Sequence, residues 1–515
     1  MAAVGSARDA RIPAPVPAAI ALSHIDKRFG EVHANKDVSL EIEAGTIHGI
    51  VGENGAGKST LMSILFGFYQ ADAGSISIHG KPVKITSPQD AIKAGIGMVH
   101  QHFMLVGNFT VIENVILGAE GDRVLNRGIA KARAELARLE REYGLAVDAD
   151  ALVEELGVGL QQRVEILKAL YRGADTLILD EPTGVLTPSE ADQLFAMLRQ
   201  LKAQGKSVIL ITHKLKEIMA VTDRVSVMRR GEMVGTVETA KTSPEALAEM
   251  MVGRRVLLRV EKGQRDAGRI VLDVKNITVR DADQVARVDD VSFSVRAGEI
   301  VGIAGVSGNG QSELLEAITG IRPLHSGSIL LNGEPVPCDA ERARRLKLAH
   351  VPDDLHRLGV VMPFDACENT ILGYHHDALY RRGPFQDRAA ILADTKHKMS
   401  AFDVRPQDPH LRLALFSGGN QQKIVLAREM EQDPDILIVG QPTRGVDIGA
   451  IEFIHRRIVA MRDAGKAVLL VSVELDEIRG LADRVLVMCG GRISGECAAE
   501  ASESQIGLMM AGAAA

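Results

Sequence analysis

The sequence repeats itself after roughly half of its length. Residues 37–40 (DVSL) recur as residues 290–293 (DVSF), which lie 253 positions later. Residues 182–183 (PT) recur as residues 442–443, which lie 260 positions later, so the matching positions drift by only seven residues. Such a long period indicates two copies of one domain, because solenoid proteins repeat about every 20–50 residues.

The apolar segments of the chain predict an α/β fold. Residues 47–51 and 208–211 are almost continuously apolar, which is typical of strands buried on both faces of a mainly parallel sheet. Between such strands, residues 131–143 place apolar side chains on one helical face. From these patterns we predict a flexible tail at residues 1–17, a first domain at 18–253, a linker at 254–268 and a second domain at 269–512.

The composition narrows the possible functions. Lys and Arg total 60 against 67 for Asp and Glu, a net charge of −7 that argues against a nucleic-acid partner. An aromatic content of 3%, with no Trp, argues against a platform on which single-stranded bases stack. No stretch approaches the roughly 18 consecutive apolar residues of a membrane helix, so we expect that this chain is not itself a pore.

Residues 52–59 (GENGAGKS) fit the phosphate-binding pattern G-x-x-x-x-G-K-[ST]. The segment follows an apolar strand and precedes a helical segment that starts at Thr60, which is the context that this motif requires. Lys58 would reach the β- and γ-phosphates, and the Ser59 hydroxyl would ligate Mg²⁺. The predicted nucleotide-binding residues of this segment are Gly52, Glu53, Asn54, Gly55, Ala56, Gly57, Lys58, Ser59 and Thr60.

Polar residues that suit nucleotide hydrolysis follow other predicted strands. Asp180 and Glu181 come directly after an apolar run, where Asp180 would hold Mg²⁺ and Glu181 would orient or deprotonate the attacking water. His213 ends another apolar strand, from which it would contact the γ-phosphate, although a purely structural histidine is an alternative there. Gln101 lies between a strand and a helical segment, where its amide would sense Mg²⁺ and the water.

Together these residues resemble the ATP-binding subunits of ABC transporters over nearly the whole chain. The resemblance implies an α/β chain of two tandem P-loop NTPase domains, each with a RecA-like core and a helical subdomain. It also implies ATP and Mg²⁺ as cofactors. By this resemblance Lys58 and Ser59 belong to the Walker A motif, Asp180 belongs to Walker B, and Glu181 is the catalytic base.

The resemblance assigns further residues to the nucleotide. Gln101 would be the Q-loop glutamine, His213 the switch histidine and Phe29 the aromatic residue that stacks on adenine. The family's signature motif, LSGGQ, is similar to residues 416–422 (FSGGNQQ) of the second copy. Residues 156–162 (LGVGLQQ) of the first copy lack its serine and its first glycine. The signature residues of the second copy are Ser417, Gly418 and Gly419.

The second copy lacks most of the residues that carry chemistry in the first. The residues aligned with Phe29, Lys58, Gln101, Asp180, Glu181 and His213 are Ala282, Gln311, Asp353, Gly440, Gln441 and Val473. In dimers of this family each ATP lies between the Walker A motif of one half and the signature of the other. The D-loop, a further motif of this family, also differs between the copies. The second copy has Asp447 where the first has Thr187. We therefore expect one hydrolytic site and one degenerate site per chain.

The resemblance extends to a transport role. Residues 441–450 are similar to bacterial importers of the ribose and galactose type, whereas residues 308–311 and 451–455 are closer to a nucleoside-uptake branch. Gln441, where the sugar importers more often have Glu, also favours nucleosides. The implied partners are two membrane permease subunits, which would contact residues 101–118 and 353–373, and an extracytoplasmic solute-binding protein.

Two alternatives to nucleoside import remain open. A simple sugar is the first, because the same group of importers transports ribose and galactose. The second is a soluble tandem ATPase acting on ribosomes, against which the short linker, the defective second copy and the acidic net charge argue. For an importer subunit we expect a peripheral position on the cytoplasmic face of the inner membrane, with no nucleic acid bound.

Overall fold

The computed structural model describes residues 18–100, 103–119, 125–183, 186, 188–255, 260, 262–263, 267–306, 308–446, 448–510 and 512. Gln101, Thr187, Asp447 and the predicted tail at residues 1–17 lie outside this set. The chain forms two compact units. The first contains the residues up to Leu186 and Glu190–Arg254, and the second contains Thr187–Ser189 and Arg255–Ala515. The limits predicted for the tail, the domains and the linker stay predictions.

The described part of the first unit has ten strands and eight α-helices. The strands are β1 (Ala18–Phe29), β2 (Val32–Glu43), β3 (Ile47–Gly52), β4 (Ala73–Ile78), β5 (Lys81–Val83), β6 (Ile96–Val99), β7 (Thr176–Asp180), β8 (Ser207–Ile211), β9 (Arg224–Arg229) and β10 (Glu232–Glu238). The helices are α1 (Lys58–Leu65), α2 (Pro88–Lys93), α3 (Val111–Ile116), α4 (Leu125–Tyr143), α5 (Val158–Tyr171), α6 (Pro188–Ala203), α7 (Leu215–Val221) and α8 (Pro244–Val252).

A six-stranded sheet in the order β10-β9-β3-β8-β7-β6 forms the centre of the first unit. Its strands are parallel except for β10, which pairs antiparallel with β9. Every residue of β3 and β8 is buried, as the unbroken apolar runs predict. Because parallel strands end at the same edge, the residues that follow β3, β7 and β8 lie at one edge of this sheet.

Each unit also contains a four-stranded antiparallel sheet, which the sequence analysis did not predict. In the first unit its order is β2-β1-β4-β5. The signal was present in β2, where Val38, Leu40 and Ile42 are buried and the residues between them are exposed. That alternation is typical of a sheet with one solvated face. Leu61 and Met62 of α1 are fully buried in the same core as this apolar face.

The described part of the second unit has twelve strands and eight α-helices. The strands are β11 (Ile270–Arg280), β12 (Ala286–Arg296), β13 (Ile300–Ala304), β14 (Ser326–Leu331), β15 (Glu334–Pro335), β16 (Leu348–Val351), β17 (Arg381–Arg382), β18 (Phe385–Gln386), β19 (Ile436–Gly440), β20 (Ala467–Ser472), β21 (Arg484–Cys489) and β22 (Arg492–Ala498). The helices are α9 (Gln311–Ile318), α10 (Ala340–Arg345), α11 (Ala366–Thr370), α12 (Arg388–Ala401), α13 (Gly418–Met430), α14 (Ile448–Asp463), α15 (Leu475–Leu481) and α16 (Glu503–Met510).

The second unit repeats the architecture of the first. Its six-stranded sheet has the order β16-β19-β20-β13-β21-β22, and its antiparallel sheet has the order β12-β11-β14-β15. In each unit a helical subdomain packs beside the parallel sheet, formed by α3, α4 and α5 in the first and by α11, α12 and α13 in the second. The predicted α/β fold of two tandem P-loop domains is thus confirmed. Among the described residues, no helix combines the length and apolarity needed to cross a bilayer.

Candidate nucleotide site

The predicted phosphate loop connects β3 to α1, which begins at Lys58, two residues earlier than the sequence indicates. Gly57 caps the helix with φ 99°, and a Cβ there would lie 2.3 Å from the carbonyl oxygen of Ala34. Only glycine fits this position, because the left-handed backbone and the close approach both exclude a side chain. No side chain caps α1 and its first turn has no acid, so its positive end is available to an anion.

The side chain of Lys58 lies inside the phosphate loop. Its Nζ donates to the carbonyl oxygens of Gly52 at 2.7 Å and Glu53 at 3.0 Å. The side chain is buried, and this burial lowers the pKa of Lys58, whereas the carboxylates of Glu181 and Asp180 act to raise it. The ammonium group is therefore close to both acids and held at the start of α1, where it can bind a phosphate.

Asp180 and Ser59 meet at the edge of the parallel sheet. Asp180 is the last residue of β7, and Ser59 is the second residue of α1. The Ser59 hydroxyl lies near the Asp180 carboxylate and acts to lower its pKa. Burial, with a contribution from the charge of Glu181, raises the pKa of Asp180. A carboxylate beside a hydroxyl is a set of oxygen ligands that Mg²⁺ prefers, so these two residues fit the metal that the sequence predicts.

Glu181 and His213 form a pair next to Asp180. Nδ1 of His213 lies 2.9 Å from Oε1 of Glu181. This hydrogen bond is the main reason that the pKa of Glu181 lies below its usual value. The backbone of Glu181 has φ 48°, a left-handed conformation that few residues other than glycine adopt. The structure thus keeps an ionised carboxylate turned towards His213, as a base that orients water requires.

Two residues that the sequence analysis missed contact predicted site residues. Tyr69 packs edge-on against Phe29 with ring centroids 5.1 Å apart, and both rings are half-exposed. Asn35 is fully buried, and its Nδ2 donates to the carbonyl oxygen of Gly57 at 3.1 Å. An aromatic residue shortly after α1 was a visible signal for Tyr69. The sequence carried no signal for Asn35, which reaches the loop from β2.

The signature segment of the second unit opens α13. Ser417 caps the helix, and Gly418 and Gly419 form its first turn. Nδ2 of Asn420 donates to Oγ of Ser417 at 2.8 Å, and Nε2 of Gln421 donates to the carbonyl oxygen of Phe416 at 3.0 Å. The side-chain amides of the motif therefore fix the turn, and the serine and glycines lie at a helix N-terminus where they suit an anion.

The corresponding segment of the first unit has a similar turn without the serine. Gly157 caps α5, and Nε2 of Gln161 donates to the carbonyl oxygen of Leu156 at 2.9 Å. Oε1 of Glu190 lies 2.7 Å from where a Cβ on Gly159 would be. The helix N-terminus thus carries no hydroxyl, and a carboxylate stands next to it, which disfavours a phosphate on grounds of charge.

Comparison with known proteins assigns this sequence to one family. The sequence profile described as ABC transporter matches residues 35–184 and 288–444. The chain is 46% identical over 497 residues to the nucleoside import ATP-binding protein NupA of Lactococcus lactis, covering 96% of this chain and 98% of the relative. It is also 46% identical to the guanosine import ATP-binding protein NupO of Bacillus subtilis, over 96% of this chain and 97% of that protein.

A sugar-import protein is also among the relatives. The ribose import ATP-binding protein RbsA 1 of Rubrobacter xylanophilus is 40% identical, over 95% of this chain and 98% of that protein. The matches run across both units, and in the first unit the profile covers the phosphate loop and strand β7. The chain therefore belongs to the ABC transporter family, as an ATP-hydrolysing member with two tandem P-loop domains.

Proposed function

We propose that this chain is the ATPase subunit of a nucleoside importer and hydrolyses ATP at one composite site. The observation that carries the proposal is near-full-length identity of 46% to nucleoside-import proteins, together with an intact set of catalytic residues in the first unit. Identity to the ribose-import relative is lower, at 40%. Import of a simple sugar is therefore the second candidate.

The contacts in the first unit support the following catalytic roles. Lys58 binds the phosphates, and Phe29, with Tyr69 beside it, offers an aromatic face to the base. Ser59 and Asp180 hold Mg²⁺, which neutralises phosphate charge when bound. Gln101 stays a proposed contact to this metal and to the water. Glu181 takes the proton of the attacking water, and His213 orients its carboxylate.

The second unit would supply its signature to this site. Ser417, Gly418 and Gly419 would contact the ATP held by the first phosphate loop, so that one competent site forms from both units. The open helix N-terminus of α13 supports this role, because it offers backbone N–H groups to phosphate oxygens. The opposite composite site would lack a base, since Gln441 replaces the glutamate there.

Exposed apolar residues support a membrane partner. Met104 and Leu117 in the first unit are 63% and 44% exposed, and Phe364 in the second is 40% exposed. All three lie in the segments expected to contact two permease subunits, at residues 101–118 and 353–373. We propose that the chain sits peripherally on the cytoplasmic face of the inner membrane, with an extracytoplasmic solute-binding protein delivering the nucleoside.

Uptake by the reconstituted transporter tests the proposal. Proteoliposomes containing this chain, its permeases and the solute-binding protein should accumulate radiolabelled guanosine when ATP is enclosed. Excess unlabelled uridine or adenosine should compete, whereas ribose should not. Lys58→Ala should abolish uptake, and Glu249→Gln, which changes an exposed carboxylate on α8, should leave it intact. Competition by ribose alone would replace the proposal with sugar import, and uptake without ATP would refute it.

A further inference from the structure

Three side chains of different chemistry meet at the start of α11 in the second unit. The ligand atoms of Asp365, Cys367 and His410 all lie within 4.8 Å of one another. Oδ2 of Asp365 and Nδ1 of His410 are 3.6 Å apart. In the described part of the chain, no other three His, Cys, Asp or Glu side chains are arranged closely enough to hold a metal ion. None of the three is a predicted nucleotide-site residue, so the cluster needs another explanation.

Backbone hydrogen bonds hold these side chains together. The backbone N–H of Cys367 donates to the carbonyl oxygen of Pro409, which precedes His410, at 3.1 Å. Oδ1 of Asp365 accepts from the backbone N–H of Glu368 at 2.8 Å and so caps α11. Capping therefore uses one carboxylate oxygen of Asp365, and the other faces His410. The fold alone brings a carboxylate, a thiol and an imidazole to one place.

The first unit has the same backbone arrangement with other side chains. In each unit an isolated bridge joins the residue that caps the short helix to a later segment, Thr110 to Leu152 in the first and Asp365 to Arg412 in the second. Counting from these bridges aligns the cluster of the second unit, Asp365, Cys367 and His410, with Thr110, Ile112 and Asp150 of the first.

The aligned residues of the first unit have ordinary structural contacts. Ile112 packs with Ile116 in a small apolar core. The carboxylate of Asp150 accepts two hydrogen bonds from the guanidinium of Arg133, at 2.6 and 2.8 Å. This backbone and its packing therefore require neither a thiol nor an imidazole. The second unit carries both, next to a carboxylate.

These three groups suit a zinc ion. Thiolate, imidazole and carboxylate are all ligands of Zn²⁺, and three protein ligands with one water complete a tetrahedral site. Bonds of about 2.0–2.1 Å at the tetrahedral angle place nitrogen and oxygen ligands about 3.3–3.4 Å apart. The 3.6 Å between Asp365 and His410 is close to that separation. The side chain of His410 is 69% exposed, so it can rotate towards the thiol and leaves the ion accessible to water.

The charges around the thiol also favour a cation. The carboxylates of Asp365 and Glu368 act on Cys367, and one ammonium group, that of Lys396, opposes them. Two negative charges against one positive charge leave the surroundings of the sulfur negative, and this attracts a cation.

We infer that Asp365, Cys367 and His410 bind a zinc ion on the helical subdomain of the second unit, with water as the fourth ligand. The ion joins the start of α11 to the segment around His410. It should therefore stabilise the folded chain, because a ligand that binds only the folded state shifts the equilibrium towards it. The inference depends neither on ATP hydrolysis nor on the transported solute.

Cobalt binding to the full chain tests the inference, because Co²⁺ can replace Zn²⁺ and a thiolate ligand gives it a sulfur-to-metal charge-transfer band. The chain is freed of metal with EDTA and then supplied with excess Mg²⁺, which occupies sites made only of oxygen ligands. It should bind one Co²⁺ that shows this band, and Zn²⁺ should displace it. Cys367→Ser should remove the band, and Cys338→Ser, at an exposed thiol, should keep it.

His410→Ala covers the case in which Cys367→Ser fails to fold, because the His410 side chain is mostly exposed. It should weaken Zn²⁺ binding at least about tenfold in competition with a chromogenic chelator, since loss of even an outer partner costs about 10–100-fold. His397→Ala is the matched control: its side chain is 68% exposed and lies 3.8 Å from the carboxylate of Glu431. Equal Zn²⁺ affinity in these two variants, or bound Co²⁺ without the sulfur band, would overturn the inference.

Discussion

Glutamine in place of Glu181 removes the proposed base of the first site and preserves the shape of the side chain. The second unit shows that glutamine fits this position, because Gln441 has φ 46° where Glu181 has φ 48°. The backbone N–H of each residue also donates to the strand beside it, at 2.8 Å in both cases. Glu181→Gln should therefore fold normally, keep a hydrogen-bonding group facing His213 and leave Lys58 in place to bind ATP.

The expected loss concerns the chemical step. Removal of a positioned general base lowers a rate by about 10²–10⁴-fold, which is about 3–5 kcal/mol in activation free energy. ATP binding should be retained, because Lys58, Ser59 and Asp180, the residues proposed to bind the phosphates and the metal, are unchanged. The variant should therefore lower kcat and leave KM close to the wild-type value.

Phosphate release from the assembled transporter measures this loss, and a filter-binding assay with radiolabelled ATP checks binding. Gln441→Glu serves as the reciprocal control and should not raise the rate, since Gly440 and Val473 still lack the other groups that hydrolysis needs. Retention of more than about a tenth of the wild-type rate by Glu181→Gln would refute the assignment of the base.

Three further variants follow from contacts in the structure. His213→Ala removes the hydrogen bond that lowers the pKa of Glu181, so the acid limb of the ATPase pH profile should move to higher pH; an unmoved limb would contradict the pairing. The stability that this pair contributes is present above the unfolded-state pKa of Glu181, about 4.3, and is lost as the pH falls through its lower folded-state pKa. Gly440→Ala places a methyl group 2.9 Å from three neighbouring atoms and should destabilise the second unit by about 1–3 kcal/mol in urea unfolding. Glu429→Gln leaves the buried guanidinium of Arg428 without its charged partner, 2.8 Å away, and should cost about 3–5 kcal/mol in the same assay; a cost below about 1 kcal/mol would mean that water reaches the pair.

Local patterns in the chain were sufficient to predict much of this molecule. The repeat predicts two similar domains, and the unbroken apolar runs of β3, β7 and β8 predict the parallel sheet, because strands covered on both faces need apolar residues throughout. The spacing of the glycines, Lys58 and Ser59 predicts the phosphate loop, because that spacing encodes the turn itself. The antiparallel sheet was not predicted, although buried and exposed residues alternate along β2, because the prediction rested on the unbroken apolar runs.

Contacts between distant parts of the chain could not be predicted in this way. His213 reaches Glu181 because β7 and β8 are neighbours in the parallel sheet, and Asn35 reaches Gly57 because β2 of the antiparallel sheet packs against the phosphate loop. The alignment of the two copies pairs Asp353 with Gln101 and Gly440 with Asp180. From the alignment alone these are two unrelated substitutions. Only the folded structure shows that Asp353 and Gly440 are next to each other.

The amino-acid order by itself predicted the duplicated domain, the phosphate loop and the replacement of Glu181 by glutamine in the second copy, since each can be read from short segments and from the comparison of the two copies. Tertiary structure alone decided which strand brings a carboxylate to each loop serine. The physical reason is packing at the edge of the parallel sheet, where β16 and β19 lie side by side and bring Asp353 next to Gly440 and to the hydroxyl of Ser312.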